Sequence, residues 1–206
     1  MTLHPLNEND PRLRTTCVVL TRPQLRLKSQ QTEIDELLAF VQGTGNKAVP
    51  GTKADKNRQS VVGLSANQVG LMKQVCIVDL SIGRKGYFDL RVLINPTIVW
   101  RSKAEVAKNE GCVNFPTTRG FTLRSRTVKV EALDRSGNEI ILKLTGWPAV
   151  LLQHEVDHLN GHLFIDRLKD PTQADLVESG EYQSYRNSIV DWRKKIDVSA
   201  RARLDG

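Results

Sequence analysis

The chain has 206 residues, 39% hydrophobic and 26% charged, a balance that suits one folded domain with appendages and excludes wholesale disorder or a fibrous repeat. Aromatics are only 5%, so aliphatic side chains must fill the core, and no apolar run approaches the roughly 20 residues of a membrane span. Lys and Arg number 30 against 23 Asp and Glu, a net charge of +7 that invites a polyanionic contact, although the basic residues are scattered.

Residues 1–15 are polar, carry Pro5 and Pro11, and read as an extended arm. Residues 17–20 (Cys-Val-Val-Leu) read as a short strand closed by Pro23. Thr32 is placed to cap a helix reaching Gln42, whose Ile34, Leu37, Leu38 and Val41 lie at i, i+3, i+4 and i+7 and form one buried face. Residues 43–60, rich in Gly, Lys and Asn, read as a flexible loop or insertion. Short β-rich runs follow at 75–79, 92–95, 127–133 and 140–144, punctuated by Gly83, Gly86, Pro96 and a hairpin loop at 134–138. Gly146-Trp147-Pro148 opens a helix expected to run to about Leu159, stopped by Asn160-Gly161.

A last polar helix is expected around residues 182–195. The basic residues cluster only there, at Arg193, Lys194 and Lys195 and then at Arg201 and Arg203, with Asp191, Asp197 and Asp205 among them. That reads as a solvated helix face or as attraction to a polyanion. With no zinc-finger spacing or stacking-aromatic motif, no sequence-specific nucleic-acid contact is expected.

Strands followed by helices predict an α+β fold. Mainly antiparallel sheets pack around the helix that starts near 147, with an N-terminal and a C-terminal helix. The domain division is an arm at 1–15, a main domain at 16–170 and a basic extension at 171–206. Three cysteines give no disulfide framework, and the N-terminus lacks a basic-then-apolar signal. A reducing compartment is expected, a bacterial cytoplasm first and an organelle as the alternative, with no membrane contact.

Three of the four histidines fall within nine residues, at 154, 158 and 162. His154-Glu155-Val156-Asp157-His158 contains His-Glu-x-x-His on the predicted helix. Residues four apart share a helix face, so His154 and His158 can offer two imidazoles to one metal, with Glu155 placed as a general base. A third donor is needed. One peptidase pattern puts another histidine where this chain has Phe164, and no spacing argument supports His162. Glu178 sits in a segment with nothing built for ligation. Cys112 is the better candidate, because a thiolate is a strong metal ligand and its Gly/Pro-framed segment fixes an unusual backbone path. Cys17 and Cys76 lie in apolar strand patterns and read as core filler.

Three ordered segments together resemble the peptide deformylase family, whose motifs are Gly-φ-Gly-φ-Ala-Ala-x-Gln (φ hydrophobic), Glu-Gly-Cys-Leu-Ser and Gln-His-Glu-x-Asp-His. Here they read Val61-Val-Gly63-Leu-Ser65-Ala-Asn67-Gln68, then Glu110-Gly111-Cys112-Val113-Asn114, then residues 153–158, with similar flanks from about Cys17 to Leu168. The resemblance implies that Cys112, His154 and His158 hold one divalent metal, ferrous iron first and zinc, nickel or cobalt as alternatives. It implies Glu155 as the catalytic base, with Gln68 and the Val113 backbone N–H as oxyanion donors. Gly63, Glu110, Gly111 and Arg119 have supporting places.

The implied reaction is hydrolysis of an N-formyl-methionyl peptide to formate and a free N-terminus, with ribosome association through the basic C-terminal segment. Asn114, Val61 and Ser65 depart from the pattern, where Ser, Gly and Ala stand. None is a ligand or the base, so they bear on substrate choice and rate. The alternatives are an amidohydrolase acting on another N-formyl substrate and a non-catalytic metal-binding homologue.

Overall fold

A computed structural model describes residues 3–42, 61–82, 89–168, 174–177, 181, 184 and 185. The expected loop at 43–60, Gly83, Gly86, Glu178 and nearly all of the expected C-terminal helix lie outside the described residues.

Two helices come first, α1 (Arg22–Leu25) and α2 (Lys28–Gln42). Helix formation starts before Thr32, because Thr21 and Gln24 form a reciprocal capping box at the head of α1. Thr32 therefore lies inside α2, where its hydroxyl donates to the Lys28 carbonyl. The expected apolar face is real, with Ile34, Leu37 and Val41 buried and Leu38 packed beside them.

Five antiparallel strands form the larger sheet: β1 (Gly63–Ser65), β2 (Val75–Asp79), β3 (Leu90–Arg101), then β6 (Thr127–Leu133) and β7 (Glu139–Thr145). β4 (Glu105–Cys112), β5 (Phe115–Ser125) and β8 (Asp175–Leu176) form a second antiparallel sheet of three. β2 is buried at every position because both of its faces are covered. Val75 and Ile77 join Ile34, Leu37 and Val41 of α2, while Cys76 and Val78 join the apolar residues of the third helix.

That helix, α3 (Trp147–Leu159), packs against both sheets and is buried from Ala149 to Leu159. Buried on every side, it is an interior helix rather than a surface one, and its second half carries Gln153, His154, Glu155, Asp157 and His158 into that interior. Its start carries Pro148 in the first turn. At its end, the Gly161 N–H donates to the His158 carbonyl and the His162 N–H to the Asp157 carbonyl, the paired closure of a Schellman stop. Gly161 has φ of 76°, and a Cβ there would lie 2.6 Å from the Arg14 carbonyl oxygen, so both conformation and space demand glycine.

Residues 17–20, expected as a strand, form only one bridge, Val18 with Lys73. Their backbone groups are claimed elsewhere: Cys17 N–H by the Leu159 carbonyl, and Leu20 N–H and C=O by the Asn95 side chain. Asn95, at φ of 52°, sits with Pro96 at a register shift in β3, which explains how a proline is tolerated inside a strand.

The N-terminal arm is docked, contrary to the expectation of an extended arm. Pro11–Arg14 forms a 3-10 turn, Leu13 is wholly buried, and the Leu6 N–H donates to the Gln68 carbonyl. β8 lies beyond the expected domain end at 170 yet pairs with β5, so the second sheet extends into the C-terminal extension. Among the described residues no helix is long and apolar enough to cross a membrane.

Candidate metal centre

The β4–β5 hairpin and α3 bring the expected donors together. Along β4 the register with β5 is regular to Gly111 opposite Arg119, then shifts so that Cys112 faces Phe115 across the Val113-Asn114 turn. The shift directs Cys112 to the helix. Cys112 Sγ lies 3.3 Å from His158 Nε2, which lies 3.2 Å from His154 Nε2. Among the described residues these three form the one group of donor atoms fit for a metal, all within 4.8 Å of one another and all on buried residues.

A tetrahedral ion with ordinary metal–sulfur and metal–nitrogen bonds needs donors roughly 3.3–3.6 Å apart, and the two spacings from His158, 3.3 Å to Cys112 and 3.2 Å to His154, are close to this. Sulfur and imidazole donors suit a first-row divalent cation. The residues fit a metal.

The other expected residues surround the donors. Glu110 Oε2 accepts from His154 Nδ1 at 2.8 Å, which leaves Nε2 to face the other ligands. Gln68 accepts the Ser65 N–H on Oε1 at 2.7 Å, so its Nε2 is turned to Cys112 Sγ at 3.1 Å. Glu155 sits beside β1, where a Cβ on Gly63 would come within 2.5 Å of Glu155 Oε1. A side chain at Gly63 would therefore displace the Glu155 carboxylate. Gly111 is similar, for the Arg119 guanidinium lies directly over it, donating to the Phe115 and Thr118 carbonyls. Arg119 braces the hairpin that carries Cys112. Val113 is half-buried in the turn next to the cysteine.

The three expected bystanders stand apart from the donors. His162 is exposed past the helix stop, and Cys17 and Cys76 are buried. Burial pushes the Cys17 thiol up to about 11 and raises Cys76 well above its ordinary value, so neither is a thiolate near neutral pH. Phe164, where the peptidase pattern has histidine, instead stacks on the His154 ring at 6.1 Å between centroids.

Sequence reasoning gave no role to Arg124, Asp157, Thr122 or Asn67. Arg124 is almost fully buried and donates from Nε and Nη2 to Glu110, at 2.6 and 2.9 Å, and from Nη1 to Asp157. Asp157 also receives Arg167, and Thr122 donates to Glu110 Oε1. Burial alone would raise the Glu110 carboxyl, but hydrogen bonds from His154 and Arg124 overcome it and hold the group ionised. For Glu155 burial wins and its pKa rises, with the nearby His154 and the Ser65 hydroxyl acting the other way. The signal for Arg124 was alternation: Gly120, Thr122 and Arg124 occupy successive inward positions of β5. Asn67 donates from Nδ2 to the His158 carbonyl at 2.7 Å, holding the helix end that carries one of the three donors. Asn114 ties the arm to the site, donating to the Leu6 and Gln68 carbonyls at 2.8 and 2.9 Å.

Comparison with known proteins bears on the family and the fold. A peptide deformylase of Brachyspira hyodysenteriae is 40% identical over 139 residues, covering 66% of this chain and 73% of that protein. Peptide deformylase 1 of Vibrio vulnificus is 37% identical over 166 residues, 81% of this chain and 86% of the relative. Among solved structures, a class I type b peptide deformylase from Acinetobacter baumannii bound to Met-Ala-Ser superposes with a TM-score of 0.69 at 27% identity, covering 82% of this chain and 99% of that one. The Thermotoga maritima peptide deformylase gives 0.67 at 26% identity with the same coverage. Residues 6–174 match the polypeptide deformylase family as a whole, and the chain belongs to that family.

Proposed function

We propose that this chain is a metal-dependent hydrolase that removes the formyl group from the N-terminal methionine of nascent polypeptides and releases formate. The observation that carries the reading is the convergence of Cys112, His154 and His158 with Glu155 and Gln68 beside them. The Acinetobacter relative was crystallised with Met-Ala-Ser, a peptide with the free N-terminal methionine that deformylation leaves.

When bound by Cys112, His154 and His158, a divalent cation lowers the pKa of a water molecule and polarises an amide carbonyl. Glu155 accepts the proton of the attacking water and returns it to the leaving amine. Gln68 spends one Nε2 hydrogen on Cys112 Sγ and keeps the other for the developing oxyanion. The Val113 N–H is the second donor, and one such donor is worth on the order of 3 kcal/mol. Gly63 leaves space for the base, Glu110 orients His154, and Gly111 with Arg119 supports the cysteine hairpin.

Ferrous iron is the native ion in this reading, and zinc, nickel or cobalt suit the same donors. The compartment is the bacterial cytoplasm, and the basic segment with Arg193, Lys194 and Lys195 holds the enzyme near ribosomal RNA. Anaerobic purification with metal analysis, followed by formate release from formyl-Met peptides and from other formamides, tests the activity. Preference for the formyl-Met peptides is expected, and no formate from them overturns the reading. Replacing Arg193, Lys194 and Lys195 with Gln is expected to weaken salt-sensitive co-sedimentation with ribosomes. Unchanged co-sedimentation removes the ribosome contact.

A further inference from the structure

Ser65 stands where the deformylase motif has alanine, and it is wholly buried. Two acceptors face its hydroxyl, the Glu155 main-chain oxygen and Glu155 Oε2, each at 2.8 Å. A hydroxyl has one hydrogen to give. The main-chain oxygen lies inside α3, where the residue four positions on already donates to it, and a carboxylate oxygen is the stronger acceptor. Donation to Oε2 is favoured.

β1 is extended, so residues 63 and 65 point to the same side. That side meets both carboxylate oxygens of Glu155: Gly63 leaves the clearance that Oε1 occupies, and Ser65 engages Oε2. At the same residue, the Ser65 N–H holds Gln68 Oε1 at 2.7 Å and so aims Gln68 Nε2. One position therefore touches both side chains to which chemistry is given.

We propose that Ser65 is a positioning residue whose hydroxyl clamps Glu155 Oε2, so that Oε1 is the oxygen presented to the reacting water. This rests on the deformylase reading above. A glutamate side chain has three rotatable bonds, and fixing it beforehand removes an ordering cost from the transition state. Alanine at this position leaves the carboxylate to be held by packing alone.

Ser65→Ala removes the clamp, keeps the backbone anchor of Gln68 and installs the family's own residue, so the variant is expected to fold. At equal metal content, kcat on a formyl-Met peptide is expected to fall about tenfold while KM changes by less than about twofold. A second readout needs no turnover: thermal unfolding of the metal-loaded wild type, Ser65→Ala, Glu155→Ala and the double variant. A hydroxyl bound to the carboxylate makes the two single losses non-additive. A hydroxyl that serves only the helix carbonyl gives additive shifts and an unchanged kcat, and either of these results overturns the proposal. If the wild type releases no formate, the deformylase reading fails, while the unfolding cycle still decides whether the clamp exists.

Discussion

Glu110 Oε2 accepts a hydrogen bond from His154 Nδ1 at 2.8 Å, joining the three-stranded sheet to the central helix at one of the three clustered donors. The bond fixes the imidazole tautomer and turns Nε2 toward Cys112 and His158. Glu110→Gln keeps the size and removes the charge. It is expected to weaken metal affinity by about 10–100-fold, measured by competition with a chromophoric chelator. Unchanged affinity would mean that α3 packing alone orients His154.

Arg124 lies between two buried carboxylates, Glu110 and Asp157, with only 4% of its side chain exposed. Arg124→Met preserves much of the volume but strands both anions without their shared cation. The expected loss is about 3–5 kcal/mol in urea unfolding of the metal-loaded protein. Arg167 is a half-exposed partner of Asp157, so Arg167→Met should cost less than the Arg124 change.

Glu155→Gln removes the carboxylate proposed as the base and retains the side-chain shape. Formate release is expected to fall at least about 100-fold with metal content unchanged. Robust turnover by this variant would end the role given to Glu155.

His158 and His162 sit four residues apart across the helix stop, one wholly buried and one exposed. His158→Ala is expected to abolish stoichiometric metal in elemental analysis, and His162→Ala to leave metal content and activity alone. Loss of metal in the His162 variant would contradict the ligand set.

Metal that binds only the folded chain adds stability by mass action, about 2.7 kcal/mol at one hundred times its dissociation constant. Chelation is therefore expected to lower the unfolding temperature, and adding back ferrous iron or nickel to restore it. No shift in differential scanning fluorimetry would separate this site from folding altogether.

The central helix was legible because its signals are local. Pro148, a run of aliphatic residues and Asn160-Gly161 mark its ends, and the structure places them as expected. β4 and β5 were not legible. Their inward positions carry Glu110, Thr122 and Arg124, which break the apolar alternation of a strand and satisfy one another only inside the fold. The strand expected at 17–20 failed for the opposite reason: its apolar residues suit a strand, but the Asn95 side chain and the end of α3 take its backbone groups.

By itself the amino-acid sequence determined that His154 and His158 share a face, since four residues make nearly one helical turn, and that Glu155 sits next to them. Only the tertiary structure brings the third candidate donor to them. Cys112 lies 42 residues before His154 and reaches it because the β4–β5 register breaks after Gly111 and α3 packs against that hairpin. Spacing along a helix is fixed by local geometry, whereas strand register and sheet-on-helix packing are settled by contacts distant in the chain.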